Sequence, residues 1–401
     1  MPDAAADVEA SEILVDLKTT VVGAYPKPEY LKIPDFFNTG GDQKAGLLGA
    51  SLNAYSEMLS SQTEESKEQL EKDVMRASTE VIAKQCKCGV DVVTDGEVRR
   101  ENYLHYLCRF IDGIDFTQPK EMSVRNNAYT ALVPTVTKEV RWRGGLSCAE
   151  EWRKAQACAP AGVHVKYTLP GPMTICGSVF DTYYKDNARL SGDLAKIVNQ
   201  QVLELAASGC KYIQIDEPVF ARKPEEALSY GIKCLEDCFA GCPEGSVERT
   251  MHMCCGYPGH VDQTDYLKAD PSAYVRIASA LDASCVDAVS IEDAWCQNDL
   301  SLLDNFKRTK VILGTMNVSS SRVEEVSEMR SRLTEALKHI EPERLMVAPD
   351  CGLGLLQGEK YGHLLDQKLA NMCQAAKAVP LLRKRVHGAE DPLQPPQKKI
   401  A

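Results

Sequence analysis

The chain has 401 residues, 44% of them hydrophobic and 26% charged, with a formal net charge of −11. That is the composition of a globular protein long enough for one large domain or two ordinary ones. So acidic a chain lacks the clustered Lys and Arg that bind nucleic-acid phosphates, and no run of about 18 apolar residues is present to span a membrane.

Residues 1–17 are rich in Ala, Asp and Glu and are expected to form a disordered N-terminal tail. They lack the basic start and apolar run of a secretory signal and the arginines of a transit peptide, which points to the cytoplasm. Sixteen cysteines fit that compartment. In a long intracellular chain thiols stay reduced, and some are available for metal binding or reaction. Cys210, Cys285 and Cys373 sit in apolar surroundings and read as small buried hydrophobes.

Short β-branched apolar runs then alternate with longer helical patterns. The runs are 19–24, 90–95, 163–169, 212–216, 249–254, 286–291, 310–314 and 345–350. Several are almost continuously apolar, as strands of a parallel sheet buried on both faces are. Between them, 193–208 and 320–339 carry apolar residues at three- and four-residue spacing, the mark of helices. Eight such units predict an α/β fold, a (β/α)8 TIM barrel over residues 18–386. A doubly wound sheet would give a similar string. The excess chain lies at about 36–69 and 117–162, read as polar, irregular insertions after the first and second strands. Residues 387–401 contain three prolines and no periodicity, and are expected to be a disordered tail.

Five predicted strands end in polar residues: Asp95-Gly96-Glu97, Asp216-Glu217, His252-Met253-Cys254-Cys255, Glu292-Asp293 and Asp350-Cys351. In a parallel barrel these ends share one face, where barrel active sites are built. His252 and Cys254 alternate along one strand and so point to the same side. Alone they would read as a core histidine beside a buried thiol. With Glu292 and Cys351 converging from two further strand ends, they make an imidazole, thiolate and carboxylate set that suits Zn2+.

These residues also carry a resemblance. His252-Met-Cys254, Ser290-Ile-Glu292 and Pro349-Asp-Cys351-Gly-Leu resemble the zinc-site segments of cobalamin-independent methionine synthase, in its C-terminal catalytic domain. Thr19-Thr-Val-Val-Gly-Ala-Tyr-Pro resembles that family's first strand, and Gly96-Glu97 and Gln214-Ile-Asp216-Glu217-Pro218 resemble its amino-acid-binding segments. The likeness runs in order from about Thr19 to Leu356, in the short, single-barrel form. It implies a zinc-dependent S-methyltransferase of methionine biosynthesis, in which a zinc-bound homocysteine thiolate attacks the methyl group of a folate donor. It further implies catalytic roles for Glu97 and Asp216, which would bind the homocysteine ammonium. The plainer reading is of strand-end carboxylates bonded to helix N-termini or to Arg99 and Arg100, but two acids beside a zinc-bound thiolate call for a cationic partner.

Three substrate positions depart from the family pattern. Ala24 stands where a serine helps to hold homocysteine, Ser178 where a tryptophan stacks on the folate, and Ser319 where a histidine protonates the leaving pterin. The thiol side of the reaction is therefore better specified than the donor side. Two other readings stay open: a zinc enzyme that alkylates another thiol or runs as a C–S lyase, and a non-catalytic barrel stabilised by zinc. Cys234, Cys238 and Cys242 lie near one face of a single predicted helix, which leaves few ways to surround an ion.

Overall fold

The computed structural model describes residues 10–35, 37, 51–124, 129–256 and 258–384. Its strands, in chain order, are β1 (Ala10–Val15), β2 (Lys18–Thr19), β3 (Val92–Val93), β4 (Ile111–Val124), β5 (Tyr129–Trp142), β6 (His164–Val165), β7 (Tyr167–Pro170), β8 (Phe180–Asp181), β9 (Tyr212–Asp216), β10 (Glu248–Met253), β11 (Ala288–Ile291), β12 (Lys310–Met316), β13 (Leu345–Pro349) and β14 (Val379–Lys384).

Seven strands form one parallel sheet in the order β2-β13-β12-β11-β10-β9-β7. The circuit closes through β3, which pairs with β6 and touches the β2 edge by the parallel bridge Thr20↔Val92. β6 and β7 are one strand interrupted at Lys166, whose N–H donates to Val93 O at 2.8 Å. The result is the expected eight-stranded barrel, with β14 outside it. The first and second strands are shorter than expected because side chains take over the ladder. Thr20 Oγ1 donates to Val92 O at 2.8 Å, and Thr94 Oγ1 to Gly23 O at 2.8 Å. The Gln85 amide pairs with Thr94 N and O from the helix Glu64–Cys88.

Alternation along each strand separates two apolar layers. Met251, Val289, Val311 and Val347 belong to the main core packed under the helices. The intervening Ala288, Ile312, Met346 and Ala348 form a separate buried cluster within the barrel. His252 and Cys254 share the inward parity, so they stand above that floor at the carboxyl end. The register sets His252 beside Asp216 of β9 and Ser290 of β11.

Three sequence expectations are corrected. The N-terminal tail is partly ordered: β1 pairs antiparallel with β14, Ala10 opposite Lys384. That pairing joins the two chain ends, and local composition gives no sign of it. Residues 1–9 and 387–401 lie outside the described residues. Within 36–69, residues 36 and 38–50 are likewise outside, but most of the rest is helical, with Leu52–Ser61 followed by Glu64–Cys88. In segment 117–162, residues 117–124 and 129–142 belong to the paired strands β4 and β5, and Cys148–Cys158 is a helix. Among the described residues, no helix is long and apolar enough to cross a membrane.

Candidate functional site

The end of β10 and the loop after β13 bring His252, Cys254 and Cys351 together, all buried, with their ligand atoms within 4.8 Å of one another. Cys351 Sγ lies 3.5 Å from His252 Nε2. Ser290 Oγ lies 2.9 Å from His252 Nδ1, so the ring is held from behind and Nε2 is the nitrogen turned to the thiols. Fixing one imidazole nitrogen to orient the other is how metal-binding histidines are supported. Burial alone would raise a thiol's pKa. The hydrogen bond from Cys351, then that to His252, instead hold Cys254 well below its ordinary value. A soft, anionic, buried donor set of this kind fits a borderline-soft metal ion.

Glu292, the expected fourth ligand, is not in this trio. Its carboxylate forms a buried ion pair with Lys268, accepts the Cys255 N–H, and groups instead with Cys255 and Cys296. Lys268 comes from the long segment between β10 and the helix Ser272–Ala283 and stacks its ammonium 4.3 Å from the centre of the Trp295 ring. The loop after Glu292 is itself pinned. Asp350 accepts the N–H groups of Asp293, Ala294 and Trp295 at 2.8–2.9 Å, and Arg332 clamps Asp293 with two bonds of 2.6 and 2.7 Å.

Glu97 and Asp216 lie in the same cavity as the trio, a space of about 810 Å3. Glu97 follows Gly96 through a tight turn in which both have positive φ (55° and 72°). Only Gly adopts that region without strain, so a glutamate there is held by its surroundings. Thr168 Oγ1 donates to Glu97 Oε1 at 2.6 Å, and Arg100 lies 3.4 Å from the same oxygen. Asp216 accepts from Gln214 Nε2 at 2.7 Å. Burial, with the nearby Glu97 charge, pushes the Asp216 pKa up to about 7. Next to it, Glu217 turns away. It accepts from Met173 N, Thr174 N and Thr174 Oγ1 at 2.6–3.0 Å and so caps the helix Pro172–Cys176. A Cβ on Gly171 would fall 2.2 Å from that carboxyl group. Gly171→Ala is therefore expected to destabilise the fold by about 1–3 kcal/mol, the usual cost of overpacking, seen as a lower urea midpoint.

Ala24 and Ser178 also line the cavity. Ala24 O accepts the Leu353 N–H, and Ser178 Oγ donates to Ile175 O at 2.9 Å. Ser319 is not brought to the cavity wall. Asn317 Oδ1 accepts both its N–H and its hydroxyl, at 2.9 and 2.8 Å, folding it back on its own turn. The wall instead includes residues that the sequence did not single out: Phe37, Tyr103, Met122, Phe180, Lys185 and Lys223. Met122 arrives on β4 of the β4–β5 hairpin, far in sequence from the end of any barrel strand. No local motif marks it.

Residues 53–378 match the family described as cobalamin-independent synthase, catalytic domain. The methionine synthase of Saccharolobus solfataricus is 28% identical over 365 residues, covering 90% of this chain and 95% of that protein. The methionine synthase of Thermococcus kodakarensis is also 28% identical, over 90% of this chain and 93% of its own. A B12-independent methionine synthase from a Shewanella species, solved in complex with selenomethionine, superposes with a TM-score of 0.74 at 27% identity, covering 90% and 97% of the two chains. With 326 of its 401 residues matched by the family (53 to 378 inclusive), the chain belongs to the cobalamin-independent synthases, through their catalytic domain.

Proposed function

We propose that this protein is a zinc-dependent methyltransferase that makes methionine by methylating the thiol of homocysteine. One observation carries the reading: His252, Cys254 and Cys351 open into the same cavity as the buried carboxylates Glu97 and Asp216. Three protein ligands with a position left for substrate is the pattern of catalytic zinc. When bound, zinc lowers the pKa of the substrate thiol, so that a thiolate is available at neutral pH. Glu292, fully buried beside the trio, is ion-paired to Lys268.

The chain's own residues then supply position and charge. Glu97 and Asp216 receive the ammonium end of the amino acid, so its sulfur is directed to the thiol-binding corner. Arg100 and Thr168 fix Glu97, and Gln214 fixes Asp216. Holding both reactants in line replaces a chance encounter with an oriented one. On the donor side, Phe37, Tyr103 and Phe180 offer rings, and Lys185 and Lys223 offer positive charge. That wall suits an anionic, aromatic methyl donor such as a methyl-folate. Phe180, two residues beyond Ser178, supplies the ring that Ser178 does not. The relatives' name, methionine synthase, and the selenomethionine held by the Shewanella protein support the same assignment. All sixteen cysteines are free, which suits a reducing compartment.

The test is methionine formation from homocysteine and a panel of methyl donors by the zinc-loaded protein. Product from at least one donor is expected; none from any donor, with zinc and homocysteine both bound, overturns the proposal. A pH dependence follows from Asp216. Below its pKa of about 7 the group is neutral and holds an ammonium poorly; above it the carboxylate is charged. Methionine has no thiol to titrate, so calorimetry with this ligand isolates the effect. Affinity is expected to rise as pH rises through about 7, and the rise is expected to vanish in Asp216→Asn.

A further inference from the structure

Lys166 carries a charge inside the barrel, where the residue is only 3% exposed. It sits in the break between β6 and β7, on the same inward parity as Thr168. Its Nζ donates to Val21 O at 2.5 Å and to Gln214 Oε1 at 2.6 Å. Gln214, fully buried on β9, donates from Nε2 to Asp216 Oδ1 at 2.7 Å and to Val22 O at 2.9 Å. A chain of hydrogen bonds therefore runs from the lysine, through the glutamine, to a carboxylate that lines the cavity.

The direction of that chain is forced. A lysine ammonium has three donors and no acceptor, whereas an amide has one end of each kind. The Asp216 carboxylate and the Val22 carbonyl both accept. The amide meets all of these partners only with its oxygen toward Lys166 and its nitrogen toward Asp216. Turned over, it would set oxygen against oxygen at Asp216 and leave the ammonium facing an NH2 group, a costly arrangement for buried polar atoms. Burial pushes the Lys166 pKa down to about 8, so the group is still protonated at neutral pH; the Asp216 charge is first among those that oppose the fall.

Glu97 is held in the same manner. Arg100 Nη1 donates to Thr168 Oγ1 at 3.0 Å, and Thr168 Oγ1 donates to Glu97 Oε1 at 2.6 Å. Each of the two carboxylates thus has a buried cation behind it, acting through one neutral side chain. A carboxylate fixed on its inner side before substrate arrives has less freedom to lose on binding. We propose that Lys166 is a positioning residue for the amino-acid substrate: by setting which end of Gln214 meets Asp216, it holds that carboxylate in place for the substrate ammonium. This rests on the reading of Asp216 as a partner of the ammonium.

Calorimetry on the zinc-loaded, full-length protein compares the affinities for methionine and for its des-amino analogue. The wild type is expected to prefer methionine. In Lys166→Met the methionine affinity is expected to fall about tenfold, the scale of one hydrogen bond to a charged group, with that for the analogue little changed. Gln214→Met is expected to lose about as much, and the double variant no more than either alone, because both act on one chain of bonds. Lys166→Gln, whose amide can present either end to Gln214, is the second probe should the first variant fold poorly, and is expected to lose part of the preference. A Lys166 variant that keeps the wild-type preference, losses that multiply in the double variant, or an equal loss for both ligands overturns the proposal and leaves the reading of Asp216 intact. A wild type that binds both ligands equally overturns that reading, and the proposal with it.

Discussion

Cys351→Ser is expected to lower kcat/KM for methionine formation by on the order of 10^2- to 10^3-fold, the scale of losing a principal electrostatic element of a site. The change looks small, one sulfur for one oxygen. A thiol titrates near 8.5, whereas a serine hydroxyl does not ionise at neutral pH. The variant therefore loses an anionic, soft ligand in a buried place. It also loses the Sγ that faces His252 Nε2 at 3.5 Å and holds the Cys254 pKa down. Steady-state kinetics with parallel zinc analysis checks the claim: activity and bound zinc are expected to fall together. Cys210→Ser is the control. Cys210 is also buried, but it lies before β9 at the opposite end of the barrel, donating to Tyr212 O. Its loss is expected to lower stability and leave the kinetics of the folded enzyme unchanged.

Asp216→Asn and Glu97→Gln are the second large pair. Each keeps the shape of a buried side chain and removes the charge that faces the substrate ammonium. Truncating one partner of a buried charge pair costs roughly 2–5 kcal/mol. Taking about 3 kcal/mol, the KM for homocysteine is expected to rise about 10^2-fold. A thiol that lacks the amino group provides the discriminating comparison. Its weaker binding is expected to change little in either variant, because the lost charge has no ammonium to meet. Equal losses for both thiols would instead mean that the substitutions disturb the cavity as a whole. Gly23 sets a related limit, since a Cβ there would fall 2.5 Å from Glu97 Oε1.

Much of this site was legible in the chain because barrels translate sequence into position simply. A strand alternates sides, so His252 and Cys254 had to share a face, and strand ends of a parallel barrel share one rim. That logic also brought Cys351, Glu97 and Asp216 to one cavity without any long-range information. It fails where a partner comes from outside the strand pattern. Glu292 has the inward parity and the right strand end, yet Lys268, 24 residues earlier on an irregular segment, takes its carboxylate. Ser319 was placed by likeness to a histidine position, but the Asn317 side chain turns it back on its own loop. The β1–β14 pairing and the cavity-lining hairpin were missed for the same reason. Each depends on where distant segments meet, which neither composition nor periodicity records.

X-ray absorption at the zinc edge tests the central claim most directly. It is done on the wild-type protein loaded with one equivalent of zinc. Without substrate, two sulfur ligands and one imidazole are expected, matching the buried trio. On adding homocysteine, the sulfur count is expected to rise from two to three as the substrate thiol joins the metal. A count that stays at two with homocysteine bound would contradict the account.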